Sequence, residues 1–320
     1  MTATPTLSEL LASARVVSLP MRTTFRGVRH REALLFEGEN GWAEWSPFVE
    51  YEDDEARVWL KAALDQGFGP KREVGDVNLN ATLPAVNGEQ IAQVLSMFPD
   101  FDTIKIKVAE KGQTIEQDLE RVTTVRILKP DAKLRLDANG GYSVEQALRV
   151  AEYVGELDYF EQPCATIGEL AELRARLHGA TRIAADESVR KVSDPMAVAL
   201  AGAADLLVIK AAPLGGIARA TSVVLESGLP AVVSSALESS IGISMGVHLA
   251  ASLPDPQLDS GLGTVALFER DIVAEPLIAQ NGRLPVKRVA PDADRLVELA
   301  ASPQRTAWWL ARLERCYALL

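Results

Sequence analysis

Short runs of β-forming residues alternate with helical segments from about residue 77 to about residue 268, and this alternation restricts the possible folds most strongly. The eight candidate strands cover residues 77–83, 103–108, 133–139, 157–163, 182–188, 205–211, 230–235 and 257–260. Strands that alternate with helices predict a parallel sheet. Eight such units favour a closed (β/α)8 barrel of the TIM type over an open doubly wound sheet, and no Gly-x-Gly-x-x-Gly follows the first strand.

The segments on either side of this region have a different pattern. Residues 15–19 and 33–36 alternate like antiparallel strands, and residues 53–66 carry a helical apolar stripe. The last segment, 269–320, ends in a helical pattern that contains two adjacent tryptophans. We therefore predict an α+β capping domain formed by residues 1–77 and 269–320, and a catalytic (β/α) barrel domain formed by residues 78–268.

The composition excludes several classes of function. The 320 residues include 33 Lys and Arg against 44 Asp and Glu, and the resulting net charge of −11 argues against a nucleic-acid partner. No apolar run reaches the roughly 18 residues that a membrane span needs. Two cysteines, Cys164 and Cys316, form no disulfide framework and no secretory signal is evident, so we expect a cytoplasmic protein. These observations leave the oligomeric state open.

Charged residues recur at the carboxyl ends of the predicted strands, where a buried parallel strand should be apolar. They are Lys105, Lys107, Asp137, Glu161, Asp186 and Lys210. From Lys107 onward, successive members are 30, 24, 25 and 24 residues apart, which is close to the length of one βα unit. Because the carboxyl ends of all barrel strands meet at one face, we expect these side chains to point into a single mouth.

The three carboxylates among them predict a metal site. Asp137, Glu161 and Asp186 would repel one another strongly unless a cation lay between them. Oxygen ligands favour a hard ion, so we expect Mg²⁺, with Mn²⁺ as a substitute. Lys107 and Lys210 would then face each other across the metal. Each charge alone could equally be a solvated strand end or a helix cap, and it is their common register that points to catalysis.

Three neighbouring residues receive other interpretations. Arg135 shares a strand face with Asp137, so we expect it to be an inward ion-pair partner for the site. Glu187 lies on the opposite face from Asp186 and is interpreted as structural. Cys164 has no histidine partner in a recognisable motif, which argues against a nucleophile.

Five motifs together resemble a known family. They are Lys-x-Lys at 105–107, Asp-Ala-Asn at 137–139, Phe-Glu-Gln-Pro at 160–163, Asp-Glu-Ser at 186–188, and the lysine at 210. In this order the set resembles the muconate-cycloisomerase-like branch of the enolase superfamily, over nearly the whole chain. The resemblance implies that the three carboxylates bind the metal. It also implies that Lys107 and Lys210 are the acid–base pair on opposite faces of a small carboxylate substrate, supported by Lys105.

Within that branch, residues 20–27, 135–139 and 233–242 are most similar to the o-succinylbenzoate synthase family. This similarity implies a lyase that dehydrates 2-succinyl-6-hydroxy-2,4-cyclohexadiene-1-carboxylate to 2-succinylbenzoate through an enediolate, in menaquinone biosynthesis. The substrate also carries a succinyl arm, which needs hydrogen-bond donors. The candidate substrate-binding residues are Arg22, Asn139, Ser234, Ser235, Ser239 and Gly261.

Two other functions remain open at this stage. The same pair of lysines could serve an N-acylamino acid racemase or a cycloisomerase, because either reaction also moves a proton next to a carboxylate. Residues 258–263 lack the Asp-x-Asp of dipeptide epimerases, which argues against a dipeptide substrate but leaves racemisation possible. The chain could also be a barrel that only binds ligands, but such a remnant would be expected to have lost a lysine or a carboxylate, and none is missing.

Overall fold

The structure is a computed structural model that describes residues 5–25, 27–69, 75–98, 100–190, 196–253 and 258–320. Two positions used in the sequence analysis, Arg26 within 20–27 and Gln257 within 257–260, lie outside these ranges. No helix within the described ranges is both long and apolar enough to cross a bilayer.

The N-terminal part forms an antiparallel sheet of three strands in the order β1-β2-β3. The strands are β1 (Arg15–Phe25), β2 (Val28–Gly38) and β3 (Gly41–Trp45), preceded by helix α1 (Leu7–Ser13) and followed by helix α2 (Asp53–Phe68). Three acidic residues lie in the first turn of α2, where the positive end of the helix dipole stabilises negative charge. The predicted strands and helix of this region therefore correspond to elements of the structure.

Seven parallel strands form the central sheet, in the order β5 to β11 from one edge to the other. They are β5 (Ala81–Leu83), β6 (Thr103–Lys107), β7 (Lys133–Asp137), β8 (Tyr159–Glu161), β9 (Ile183–Ala185), β10 (Leu206–Ile209) and β11 (Ala231–Val233). The helices that follow them are α3 (Glu89–Leu95), α4 (Ile115–Leu128), α5 (Val144–Val154), α6 (Ile167–Leu177), α7 (Glu187–Arg190), α8 (Ala197–Leu200), α9 (Ala211–Leu214), α10 (Ile217–Ser227) and α11 (Ser240–Ser252). Capping boxes at Thr114, Ser143 and Thr166 begin α4, α5 and α6 at fixed residues.

In the part of the chain that the structure describes, the eighth strand consists of two bridging residues. Ser260 forms a parallel β-bridge with Leu79, and the next residue, Gly261, forms one with Ser234. The Asn80 amide donates to the carbonyl of Ser260 at 2.9 Å, and the Gly261 amide donates to the carbonyl of β11 residue Val233 at 2.8 Å. These bonds join the two edges of the seven-stranded sheet. The predicted TIM-type barrel with a capping domain is therefore confirmed, with two bridging residues in place of a regular last strand.

The predicted first strand, 77–83, is divided in two. Its beginning forms β4 (Asp76–Asn78), which pairs antiparallel with β12 (Arg283–Pro285) from the C-terminal segment. Only the second part, β5, belongs to the barrel. The chain ends with helices α12 (Ala293–Glu298) and α13 (Pro303–Ala318), and a 3-10 helix covers Gly263–Leu267. The exact domain limits of 77/78 and 268/269 stay a prediction.

The C-terminal helix packs on the N-terminal sheet through aromatic residues. Trp309 of α13 meets Trp45 of β3 edge to face, with ring centroids 5.4 Å apart. The indole nitrogen of Trp309 also donates to the Glu32 carboxylate of β2 at 2.9 Å. Both tryptophans are fully buried. The two ends of the chain thus share one core, as the proposed capping domain requires.

Arg135 lies inside the barrel but does not pair with the carboxylates at the mouth. It comes two residues before the end of β7, so it points inward one layer deeper than Asp137. Its Nε donates to Asp158 at 2.7 Å and its Nη1 donates to the side chain of Asn80 at 2.9 Å. The guanidinium also lies 4.5 Å from the centre of the Tyr159 ring. The prediction of an ion pair with the site is therefore wrong, because Asp158 lies nearer.

Candidate active site

The predicted charged residues meet at one end of the barrel. Strand register places Lys107 beside Asp137, and Asp137 beside Glu161, in a row across β6, β7 and β8. Asp186 and Lys210 each follow directly after the last residue of β9 and β10. Both Asp137 and Glu161 are buried, whereas the Lys107 side chain keeps 16% of its surface exposed. The five residues therefore border one mouth, with the first lysine nearest to its opening.

Each carboxylate faces a lysine. The Lys107 ammonium lies 2.5 Å from Oδ2 of Asp137, and the Lys210 ammonium donates to Oδ2 of Asp186. Lys105 lies lower in the mouth, where its Nζ is 2.9 Å from Oε2 of Glu161 and 3.4 Å from Oδ2 of Asp137. Buried charges are tolerated only when paired in this way.

The pKa values of Asp137 and Glu161 shift in opposite directions from their usual values. Burial opposes ionisation of Asp137, but the nearby Lys107 and Lys105 outweigh it and hold its pKa below the usual value. Burial and the negative charge of Asp137 raise the pKa of Glu161, because the attraction of Lys105 is not sufficient to offset them. Burial also lowers the pKa of Lys105, yet Glu161 and Asp137 raise it overall. Glu161 is therefore a carboxylate that further positive charge would stabilise.

The donor set suits a divalent metal ion, although the ligands are not drawn together around one point. Within the described ranges, no three acidic, histidine or cysteine side chains converge closely enough to enclose an ion. The ammonium groups of the lysines occupy the positions next to the oxygens. Three buried carboxylates on neighbouring strand ends nevertheless provide the hard oxygen donors that Mg²⁺ prefers. The long lysine side chains can turn away to release them.

Two amides hold the strand ends around the site. Asn139 adopts a left-handed backbone conformation with φ of 46°, its Oδ1 accepts from the Lys107 ammonium at 2.6 Å, and its Nδ2 donates to Glu187 at 3.2 Å. The buried Gln162 accepts from the amides of Asp186 and Ser188 at 3.0 and 3.1 Å. The Gln of the Glu-Gln-Pro motif thus fixes the loop that carries a candidate ligand, and Glu187 contacts the site through Asn139.

A pocket opens above these charges, and aromatic residues of the capping domain form part of its wall. Phe48, Tyr51 and Trp59 meet edge to face with ring centroids 5.5 to 6.1 Å apart. Phe25 lies 5.7 Å from the Lys107 ammonium. None of these four residues was predicted to line the pocket, although Phe25 lies within segment 20–27 and Trp59 within the helical stripe of 53–66. Neither local pattern indicates contact with the barrel.

The predicted substrate-binding residues divide into two groups. Asn139, Ser234, Ser235 and Gly261 line the pocket, together with Thr264, whose hydroxyl lies 2.8 Å from that of Ser235. A Cβ atom at Gly261 would come within 2.8 Å of the Ser234 hydroxyl, so only glycine leaves this wall open.

The other two candidates lie elsewhere. Arg22 lines an adjoining cavity, and its Nε donates to the carbonyl of Phe268 at 2.9 Å. Ser239 is fully buried outside the pocket, where it caps helix α11. The local pattern could not show this for Ser239, because its partner Glu44 comes from the distant capping domain.

Ser239 instead joins the capping domain to the barrel through a buried glutamate. Glu44 of β3 accepts hydrogen bonds from the Ser239 hydroxyl at 2.5 Å and from the amides of Ser239 and Gly242 at 3.1 Å. It therefore places a carboxyl group at the N-terminus of α11, where helix dipoles favour negative charge. Burial raises the pKa of Glu44 to about 7, and the neighbouring Glu238 acts in the same direction.

We expect the Glu44→Gln variant to have a different pH dependence of stability. A folded-state pKa of about 7, above the ordinary value of 4.5, means that the wild type loses stability as the pH rises through this interval. Glutamine cannot ionise, so the unfolding free energy of the variant should improve relative to wild type by up to about 3 kcal/mol from pH 4.5 to pH 8. Urea unfolding at both pH values measures this difference, and parallel pH profiles would contradict it.

Two family models match the chain. Residues 89–291, more than half of the 320, match the model described as Enolase C-terminal domain-like, and residues 16–67 match the model described as Enolase N-terminal domain-like. Enzymes of this superfamily generally use a divalent metal ion such as Mg²⁺.

Full-length relatives and solved structures agree with these matches. The muconate lactonizing enzyme from Pseudomonas putida has a TM-score of 0.74 at 21% identity, covering 90% of this chain and 98% of that one. The N-succinyl Arg/Lys racemase from Bacillus cereus ATCC 14579 has a TM-score of 0.75 at 19% identity, covering 90% and 96%. Identities this low show the shared fold alone. The o-succinylbenzoate synthase of Mycobacterium ulcerans (strain Agy99) is 49% identical over 320 residues, covering 98% of this chain and 96% of the relative. The chain therefore belongs to the o-succinylbenzoate synthase family of the enolase superfamily.

Proposed function

We propose that the chain is an o-succinylbenzoate synthase that depends on Mg²⁺, which Mn²⁺ can replace. It would dehydrate 2-succinyl-6-hydroxy-2,4-cyclohexadiene-1-carboxylate to 2-succinylbenzoate, a reaction of menaquinone biosynthesis. The observation that carries this proposal is the row of Lys107, Asp137 and Glu161 on adjacent strands, completed by Asp186 and Lys210 at the same end of the barrel. An amine is thereby available on each side of a set of buried carboxylates.

In the proposed reaction, Lys107 is the base. As a neutral amine it accepts the proton from the carbon next to the substrate carboxylate, and the C–H electron pair forms an enediolate. The enediolate then expels the hydroxyl group from the neighbouring carbon. Lys107, now an ammonium, returns its proton to the departing hydroxyl, which leaves as water. Both transfers occur on one face, so the elimination is syn, and the new double bond completes the aromatic ring.

Lys210 has a different role in this proposal. Its ammonium pairs with Asp186, and it would remain charged on the opposite side of the substrate, where it stabilises the negative charge of the enediolate. Lys105 contacts both Glu161 and Asp137 and supports their negative charge.

The carboxylates of Asp137, Glu161 and Asp186 would hold the metal ion. When bound there, the ion supplies positive charge next to the substrate carboxylate, where charge accumulates as the proton leaves. The chain's own contribution is to keep three oxygen donors buried on neighbouring strand ends, of which Asp137 and Asp186 line the pocket. Phe48, Tyr51 and Trp59 give the same pocket an aromatic wall.

The test is to incubate the purified protein and Mg²⁺ with the cyclohexadiene carboxylate and to follow the loss of diene absorbance and the appearance of 2-succinylbenzoate by mass spectrometry. We expect full conversion, with loss of one water. No conversion by a folded, metal-loaded protein would contradict the proposal.

A racemase remains the second candidate, because Lys107 and Lys210 could each exchange a proton from opposite sides. Deuterium exchange at the α carbon of N-succinylamino acids in heavy water tests for racemase activity. Exchange that is faster than dehydration at saturating substrate would favour the racemase, whereas dehydration alone supports the synthase.

The absence of a side chain at Gly261 gives a prediction about substrate affinity. We expect Gly261→Leu to raise KM by at least about tenfold, because the new side chain would collide with Ser234 and fill the pocket. Gly168→Leu is the matched control, since nothing lies within 4 Å of a Cβ atom built there. Steady-state kinetics on both variants measures the effect, and equal KM values would show that position 261 does not border the substrate.

We also propose a cytoplasmic location and a small carboxylate substrate, with no nucleic-acid or membrane partner. Both cysteines of the chain, Cys164 and Cys316, are buried free thiols in the structure. Burial raises the pKa of Cys164 to about 12, which supports the interpretation that it is not a nucleophile.

A further inference from the structure

A buried arginine lies behind the strand that carries Lys107. Arg121 of helix α4 is 1% exposed and makes five hydrogen bonds. Its Nη1 donates to the backbone carbonyl of Lys107 at 2.9 Å and to Asp118 at 2.8 Å, and its Nε donates to the carbonyl of Val86 at 2.6 Å. Its Nη2 donates to Asn87 at 2.9 Å and to Gln113. The guanidinium therefore has partners in every direction, as a buried charge requires.

Apart from Asp118, which lies on α4 itself, these partners belong to two segments at the mouth of the barrel. Val86 and Asn87 lie in the loop after β5, whereas Lys107 ends β6 and Gln113 lies in the loop that follows it. Gln113 adds a direct link between the loops, because its Nε2 donates to the carbonyl of Ala85 at 2.8 Å. Arg121 thus links the loop after β5 to the end of β6, which carries the proposed base, and to the loop that follows it.

Asp118 holds the chain on the far side of Lys107. Its Oδ2 accepts from the amide of Ala109 at 2.9 Å and from the hydroxyl of Tyr142. Ala109 has a φ of 59°, a left-handed conformation that an alanine adopts only at a cost in free energy. The backbone is therefore fixed at the carbonyl of residue 107 and again at the amide of residue 109. Two residues of one helix turn supply both contacts.

We propose that Arg121 is a positioning residue for Lys107, acting with Asp118 through the backbone. This inference rests on the proposed function, because it assumes that Lys107 is the base. Arg121 is buried and does not line the pocket, so it is not placed to bind the substrate. Its effect is to hold the Lys107 backbone, and hence the Nζ atom, in the orientation needed for proton removal. Misplacement of a catalytic group by about 1 Å can reduce the rate on the order of a hundredfold.

The test compares Arg121→Met with the matched control Arg126→Gln, which changes an exposed arginine of the same helix. We expect kcat of Arg121→Met to fall by about a hundredfold, with KM within about threefold of wild type. Substrate deuterated at the α carbon should also show a larger isotope effect on kcat, because proton removal becomes more strongly rate-limiting. A merely structural role would lower the active fraction without changing the isotope effect. The control should match wild type in all three quantities.

A second variant covers the case in which Arg121→Met does not fold. Gln113→Ala removes one partner of Arg121 and the link to Ala85 from an accessible loop, and we expect a smaller loss in kcat, about threefold to tenfold, with the same rise in the isotope effect. An unchanged isotope effect in every variant that folds would overturn the positioning role. If wild type itself shows no dehydration, the proposed function fails, which is a distinct result.

Discussion

Replacing Lys107 with alanine is expected to lower kcat by at least about a thousandfold while the protein remains folded. General acid–base catalysis contributes on the order of 10²- to 10⁴-fold, and here one amine is proposed to act first as base and then as acid. A thousandfold loss corresponds to about 4 kcal/mol in the activation free energy. The fold should survive, because the side chain lies at the mouth and Asp137 keeps Lys105 as a second partner.

The matched control is Lys111→Ala, which removes an exposed lysine from the loop that directly follows β6. Single-turnover dehydration and thermal unfolding should be measured on both variants. We expect the control to keep wild-type activity. If Lys107→Ala retains a tenth of the wild-type rate, this lysine is not the base.

Removing divalent metal ions is expected to abolish activity, with a decrease of at least about a hundredfold. Metal-ion stabilisation of developing charge is worth several kcal/mol, and about 3 kcal/mol corresponds to this factor. Addition of Mg²⁺ or Mn²⁺ after treatment with EDTA should restore the rate. Undiminished turnover in excess chelator would contradict the metal dependence.

Substitution of one proposed metal ligand distinguishes loss of the metal ion from other effects of EDTA on the protein. Glu161→Gln preserves size but removes a charged oxygen donor, so it should need a higher Mg²⁺ concentration for half-maximal activity. The control is Glu152→Gln, which changes an exposed glutamate on α5. Equal metal requirements in the two variants would show that Glu161 does not bind the ion.

The barrel and its row of charges could be predicted because both depend on short-range periodicity. Side chains alternate along a strand, so charges on one face of runs such as 103–107 and 133–137 are visible in the sequence. The repeat length of a βα unit then places Lys107, Asp137 and Glu161 at a common height. The strand register in the structure pairs the same residues.

What could not be predicted depends on contacts between distant segments. The aromatic wall is formed by capping-domain residues such as Phe48, and nothing in the local pattern tells which loop of that domain covers the barrel. Arg135 has its ion-pair partner Asp158 one layer below the mouth, a difference in depth that strand periodicity does not resolve. The bridges of Ser260 to Leu79 and of Gly261 to Ser234 likewise join segments that are distant in the chain.

The Glu44 contact is a further example of this limit. From the sequence alone, Glu44 next to Trp45 resembles an exposed residue of an edge strand. In the structure it is buried, because it satisfies the free amides at the start of α11. Its partners lie 195 and 198 positions away in the chain, so only the docked arrangement of the capping domain and the barrel reveals them.

The anomalous diffraction from crystals of this protein grown with Mn²⁺ and 2-succinylbenzoate tests the proposed metal site most directly. We expect one strong peak per chain, bounded by carboxylate oxygens of Asp137, Glu161 and Asp186, with the amines of Lys107 and Lys210 turned toward opposite faces of the bound acid. A peak elsewhere, or no peak while those amines remain paired with Asp137 and Asp186, would contradict it.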